Sequence, residues 1–277
     1  MLDYTQPDNT NSLEIRIKGQ KHSNNCTIFA MSNPKKRAAP SQDAEGQKKK
    51  KKKSAYHVDE TLLNGELGIN ESFAVMDNQL LADYTAQKIA RFGTDLSPVE
   101  LSDLSISANS IKDTTSWTEP RALDKLPEFL EKFAEKPERL STAPEKKGAP
   151  HTIIVAGAGL RAADIVRAVR KFQSKKSTVS KLFAKHMKVD EQVKFLQNTR
   201  TGIAVGTPAR LMELADNGAL SLEKLQRIVV DASHIDQKKR GVMDMKDTML
   251  PLARWLTRQE FQERYVDDKK HLDLLFY

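Results

Sequence analysis

The chain has 277 residues, 39% of them hydrophobic and 30% charged, with a formal net charge of +8. That length holds one α/β domain with extensions. No apolar run reaches the length of a membrane span, no secretory signal pattern opens the chain, and the single Cys26 excludes an intramolecular disulfide and a cysteine-based zinc cluster. The charge is uneven. Residues 1–53 hold 12 Lys+Arg against 5 Asp+Glu, which leaves 33 against 32 for the remainder. The basicity therefore belongs to a tail, and the rest of the chain is close to neutral.

Residues 1–55 are rich in Asn, Gln, Ser, Pro and Lys and show little periodicity, the composition of a disordered basic tail. Met31 begins MSNPKKRAAP, an ordinary start for such a tail, so residues 1–30 are expected to be a variable or untranslated extension. Lys35, Lys36 and Arg37 form one basic cluster, and Lys48, Lys49, Lys50, Lys51, Lys52 and Lys53 form a second, ten residues further on. Two clusters at this spacing read as a bipartite nuclear localisation signal taken up by importin; a solvated basic linker is the plain alternative. The lysine run also attracts RNA phosphates weakly through counterion release.

Residues 56–150 read as a mainly helical part ending in a loop. Asp77 to Phe92 places Leu80, Leu81, Tyr84, Ile89 and Phe92 at helical spacing, and Gly93 closes it. Leu126 to Phe133 is a short helix, and residues 134–150, with three prolines and mixed charge, read as a surface loop.

Residues 151–277 carry an α/β alternation. HTIIVA (151–156) is a strand, and Leu160 to Phe172 a helix with Leu160, Ile165, Val166 and Val169 as its apolar side. STVSKLFA (177–184) is a strand and Val189 to Gln197 a helix. Ile203 to Val205 is a short apolar run bounded by glycines, as suits a buried parallel strand. Gly206 turns the chain, Thr207 is expected to cap the next helix through its hydroxyl, and Pro208 fits its first position. Leu211, Met212 and Leu214 form that helix's apolar side, and Asn217-Gly218 ends it. Arg227 to Val230 is a strand delivering Asp231 to its carboxyl end, where chemistry sits in open α/β sheets. Two helices, Asp244 to Trp255 and Thr257 to Tyr265, and an apolar HLDLLFY end that packs complete the chain.

VGTPARL followed about twenty residues later by IVVDASH resembles the first RecA-like domain of DEAD-box RNA helicases. Thr207, Pro208, Arg210 and Leu211 match that family's TPGRL motif, with Ala209 in place of glycine. Asp231 matches the first acid of its Asp-Glu-Ala-Asp motif, but Ala232 stands at the catalytic glutamate, Ser233 at the alanine and His234 at the last aspartate. RFGTDLSPVELSDL, DTTSW and VVDASHI, in that order, further resemble the Cms-one family, helicase-like proteins associated with the 90S pre-ribosome. The resemblance covers roughly residues 56–277. It implies a single RecA-like (P-loop NTPase-like) parallel-sheet domain with a helical amino-terminal layer.

The departures from the helicase pattern are specific. Ser97-Pro98-Val99-Glu100 resembles the end of the adenine-reading segment, but glutamate replaces a glutamine, and a carboxylate only accepts hydrogen bonds. No Gly-Lys-Ser/Thr occurs, and its place, between Glu100 and Leu126, holds SDLSISANSIKDTTSWTEPRA, which has no glycine. Only 46 residues follow Asp231, too few for a second RecA-like domain. The expectation is a pseudo-helicase without catalysis or cofactor, acting in small-subunit ribosomal RNA processing with pre-ribosomal RNA and proteins as partners, in nucleus and nucleolus. The matching motifs contact RNA backbone in helicases, which makes Thr207, Arg210, Gly157 and Gly159 the candidate RNA site. Arg210 either adds a charged donor there or buttresses the loop through a neighbouring acid.

Two other readings compete. Gly157 to Ala162 spells the dinucleotide-binding Gly-x-Gly-x-x-Ala after a strand, although no acid ends the next strand to hold a ribose. A protein-only adaptor is the third reading. Asp231, His234 and Asp236 crowd one short loop, which is expected to be solvated and not to bind metal. His151, His186 and His271 lack partners at ligand spacing, and no Gly-x-Ser-x-Gly accompanies any serine. Trp117 and Trp255 are expected to be core anchors.

Overall fold

The computed structural model describes residues 60–184 and 187–277. The tail, its two basic clusters and His186 lie outside the described residues. Three runs of β-branched and small apolar residues set the architecture: TIIV, TGIAVG and RIVV. Each is buried along its whole length, as expected of parallel strands covered on both faces.

In chain order the elements are β1 (Leu63–Asn64), β2 (Ile69–Asn70), α1 (Asn78–Phe92), α2 (Pro98–Asp103), α3 (Leu126–Lys132), β3 (Thr152–Val155), α4 (Gly159–Ala168) and β4 (Thr178–Leu182). Then come α5 (Val189–Asn198), β5 (Thr201–Gly206), α6 (Pro208–Asp216), β6 (Arg227–Val230), α7 (Lys246–Leu256), α8 (Gln259–Tyr265) and β7 (Asp273–Phe276). The strands β4-β5-β3-β6-β7 form one parallel sheet in that order. Ile153 stands between Ala204 and Ile228 in the register.

Because strand side chains alternate faces, this register sorts the core into two layers. Ile153, Val155, Ala204, Ile228 and Val230 join Leu81 and Ile89 of α1, Leu211 and Leu214 of α6, and Trp255 of α7. Ile154, Ile203, Val205 and Val229 join Phe129 and Leu130 of α3 and Ile165 and Val166 of α4. Each such aliphatic side chain contributes about 1.5–3 kcal/mol on burial. No helix among the described residues is long and apolar enough to cross a membrane.

Several expectations are corrected here. The amino-terminal part is helical as expected, but α1 and α3 pack on opposite faces of the sheet, and a short β1–β2 hairpin and several 3-10 turns join the helices. Leu80 is 52% exposed, while Lys88 is buried on the inner side of α1. An ion pair with Asp244 and the ring of Tyr84, 4.9 Å away, allow that lysine to be buried. The loop 134–150 is partly interior, because Leu140 and Ala149 fill the core beneath it. Leu160 is 65% exposed, since α4 begins beyond the sheet edge and turns its second residue outward.

The HLDLLFY end does more than pack. It supplies strand β7, whose outer edge is met by Ile111 in a parallel bridge to Leu274, with the Lys112 amide donating to the Leu274 carbonyl. The segment that stands in place of a P-loop therefore runs along the edge of the sheet. Arg121 anchors it to the Phe276 carbonyl, and Trp117 packs edge-on against Phe129.

Candidate nucleic-acid interface at the carboxyl edge

β3 feeds α4 on one face, whereas its neighbours β5 and β6 feed α6 and α7 on the other. The chain thus switches direction around β3, which opens a crevice beyond the carboxyl ends of the strands. A groove of about 460 Å³ occupies it, lined by Gly157, Gly159, Leu160, Thr207, Ala209 and Thr248 among others. Three helix starts, those of α4, α6 and α7, meet there.

None of the three is capped by a side chain. Ala158 and Met245 have no group to offer at their N-cap positions, and the Thr207 hydroxyl makes no capping bond. This corrects the expectation for Thr207: its backbone is extended as an N-cap requires and Pro208 follows, but its hydroxyl leaves the α6 amides open. First-turn amides have no acceptor within their own helix, and with the positive end of the helix dipole they favour an anion. No cation lines the groove among the described residues, and Asp247 is its one carboxylate.

Arg210 takes the buttressing alternative. It is 9% exposed and points away from the groove. Its Nη1 donates to Gln192 Oε1 at 2.6 Å and to the Met187 carbonyl at 3.1 Å, while Nε pairs with Glu213 at 3.0 Å. Held this way, Gln192 Nε2 donates to the carbonyls of Lys181 on the edge strand β4 and of Phe183 just beyond it. The arginine thus fixes α5, α6 and the sheet edge in one network. Arg210→Ala is expected to cost about 2–3 kcal/mol, because it leaves buried acceptors without a donor. Chemical denaturation checks this; unchanged stability with weakened RNA binding would instead mark Arg210 as a direct phosphate contact.

Asp231 is 2% exposed and is gripped by Arg161 of α4, with Nε to Oδ2 and Nη2 to Oδ1 both at 2.8 Å. Burial opposes the charge on Arg161, but the bonds to Asp231 and that carboxylate's field outweigh it and raise the guanidinium above its usual range. The acid expected at the strand end is therefore locked by an internal cation. Ala232 and Ser233 are buried, and their amides donate to the Tyr277 main-chain oxygen, each at 2.8 Å. His234 bridges to Ile69 of the β1–β2 hairpin, and burial, aided by the charge of Arg161, lowers its pKa. Asp236 turns the other way, to Arg240. The loop's two acids are thus held by separate arginines, and no metal-binding cluster occurs among the described residues.

At the place of the adenine-reading segment, Glu100 and Ser97 form a reciprocal capping box for α2, with the Ser97 amide donating to Glu100 Oε2 at 2.8 Å. The dinucleotide reading of Gly157 to Ala162 meets two obstacles. A Cβ at Gly157 would lie 3.2 Å from the Val242 backbone, so protein already occupies the close approach that this glycine permits. In addition β4, the next strand, lies beyond β5 and not beside β3, unlike the adjacent first two strands of dinucleotide-binding halves. Sequence reasoning missed Arg161, Gln192 and Tyr277. For Arg161 a signal existed: an arginine in the first turn of a helix that follows one central strand, with an aspartate ending the adjacent one.

A five-stranded parallel sheet with helices on both faces, a glycine-containing turn, a Thr-Pro helix start and a strand ending in Asp along one edge makes this a RecA-like α/β domain. A DEAD box protein from Methanococcus jannaschii aligns over 57% of this chain and 37% of its own, with 16% identity and a TM-score of 0.36. Protein CMS1 of Chaetomium thermophilum is 62% identical over 235 residues, 85% of this chain and 94% of that relative. Protein cms1 of Schizosaccharomyces pombe is 28% identical over 207 residues, 74% of this chain and 72% of its own. The family profile CMS1, "U3-containing 90S pre-ribosomal complex subunit", matches residues 27–277, and the chain belongs to that family.

Proposed function

We propose that this chain is a non-enzymatic pseudo-helicase acting in small-subunit ribosome biogenesis, as a component or assembly factor of the 90S pre-ribosome in the nucleus and nucleolus. Its family's description supports the complex and the compartment. The observation that carries the mechanism is the contrast along one sheet edge. The acid position is closed by the Arg161–Asp231 pair, while three uncapped helix starts remain open beside it.

The groove takes a phosphate of the pre-ribosomal RNA backbone through main-chain amides near Gly159 and Ala209. Backbone contacts of this kind position a strand without reading its bases. With no cation in the groove among the described residues, the contact is weak alone and is supplemented by the lysine tail or a protein partner. The same lack of cations, with the exposed Leu160 at the rim, favours the protein-only adaptor as the second reading.

The test is protein–RNA crosslinking on native pre-ribosomes, comparing wild type with Thr207→Asp. An aspartate there caps α6 itself, so stability is expected to rise by up to about 1 kcal/mol. Its charge repels phosphate, so crosslinks at residues 157–160 and 207–209 are expected to disappear. Wild-type protein that crosslinks only to other proteins at this edge gives the adaptor reading its place.

A further inference from the structure

The opposite, amino-terminal edge of the sheet holds a second groove, of about 640 Å³, that the helicase resemblance does not use. It opens where β6 and β7 begin, and Arg227, the first residue of β6, lies at its floor. Arg227 is only 5% exposed, yet its guanidinium is poorly matched. Among the described residues its one hydrogen bond is long, 3.4 Å from Nη1 to Thr152 Oγ1, and its buried Nε has no hydrogen-bond partner. A buried guanidinium left this way lacks an acceptor, which an incoming anion would provide.

The charges around it are unevenly paired. Glu223 is held by Lys146 and Lys224, and Asp273 by Lys112 and His271. Arg264 gives its donors to the main-chain carbonyls of Leu222, Leu225 and Lys270, and the charge of Asp267 acts on it without an ion pair among the described residues. The side chains of Lys269 and Lys270 are exposed on the rim and make no ion pair among the described residues, Asp267 lying near Lys270. Four lining cations, Arg227, Arg264, Lys269 and Lys270, stand against two lining acids without ion pairs among the described residues: Glu135, which faces Arg227, and Asp268. Asp267, beside Arg264 and Lys270, is a third acid, so cations remain in excess. No Phe, Tyr or Trp lines the groove, His271 being its one ring, and its one aliphatic residue, Leu225, is buried. A peptide would find no apolar anchor here, whereas a phosphodiester needs only cations.

We infer that this amino-edge groove, centred on Arg227 with Lys269 and Lys270 at its rim, binds the phosphate backbone of an RNA strand. The site is separate from the carboxyl-edge groove and does not depend on it, so the protein can hold RNA at both edges of one sheet.

The experiment uses the full chain and a short single-stranded oligouridylate, with a polyglutamate peptide as the rival probe. Two variants are compared with wild type: Lys269→Ala/Lys270→Ala, which changes only exposed groups, and Arg227→Met, with thermal melting to check its fold. The lysine pair is expected to weaken oligouridylate binding about five- to tenfold at low salt and to flatten its salt dependence by about two charges. Photo-crosslinks from the oligouridylate are expected at residues 224–227 and 264–271. Unchanged affinity and no crosslinks there would overturn the proposal, as would variants that lose the peptide but keep the RNA. Should Arg227→Met fail to fold, the lysine pair decides alone. Thr207→Asp leaves these crosslinks in place, which separates failure of this site from failure of the carboxyl-edge one.

Discussion

Replacing Arg161 with alanine is expected to destabilise the protein by about 3–5 kcal/mol, the cost of breaking a buried ion pair on one side. The reason is the state of the partner left behind. Asp231 sits almost wholly out of water, its amide bound to the Val155 carbonyl, and both carboxylate oxygens take their donors from Arg161. For a domain of this size the loss corresponds to a fall in melting temperature of roughly 10 °C. The double variant Arg161→Ala/Asp231→Ala is expected to recover part of it, because no uncompensated charge remains. Urea denaturation of the three proteins measures both quantities. A loss below about 1 kcal/mol for Arg161→Ala would mean that the pair does not lock the strand end.

A second large effect is expected on acidification. His151 is buried beneath the sheet's amino edge, where burial first, and then the nearby charge of Arg227, push its pKa down to about 4 from 6.5. The depressed value fixes the sign. Above pH 6.5 the imidazole is neutral in folded and unfolded chains alike, and it imposes no penalty. Between pH 6.5 and 4 only the unfolded chain takes up the proton, so folding stability falls as pH falls. The loss reaches about 3 kcal/mol at pH 4, at ~1.4 kcal/mol per pH unit, and grows no further below that. His151→Gln is expected to flatten this part of the stability profile. Parallel profiles for wild type and variant would show that other groups cause the acid limb.

The sheet was legible because its signals are local. Ile203 to Val205, Arg227 to Val230 and the TIIV run are short, apolar and punctuated, and Thr207-Pro208 and Asn217-Gly218 mark the ends of α6. What escaped depends on partners far along the chain. Lys88 faces inward because Asp244 waits 156 residues away, a pairing invisible to helical periodicity. Arg161 and Asp231 meet across 70 residues only because β3 and β6 are neighbours in the sheet. The HLDLLFY end is legible as apolar, but its strand pairing with β6 depends on a register no local pattern encodes. Arg210 shows a further limit: the motif located the residue, while its direction was set by Gln192 on the preceding helix.

On the proposed reading, these contacts are what lets the carboxyl edge of the sheet persist as a binding surface without catalysis. The strand-end acid is a structural ion pair, the neighbouring position is a buried alanine, and the segment in the P-loop's place seals a sheet edge. On the proposed reading, binding is retained and nucleotide hydrolysis is not. RNA-stimulated ATP turnover by the purified full chain tests it most directly. Phosphate release is expected to be no faster than in protein-free controls, with and without RNA. Reproducible turnover that rises with RNA and tracks the protein through purification would contradict it.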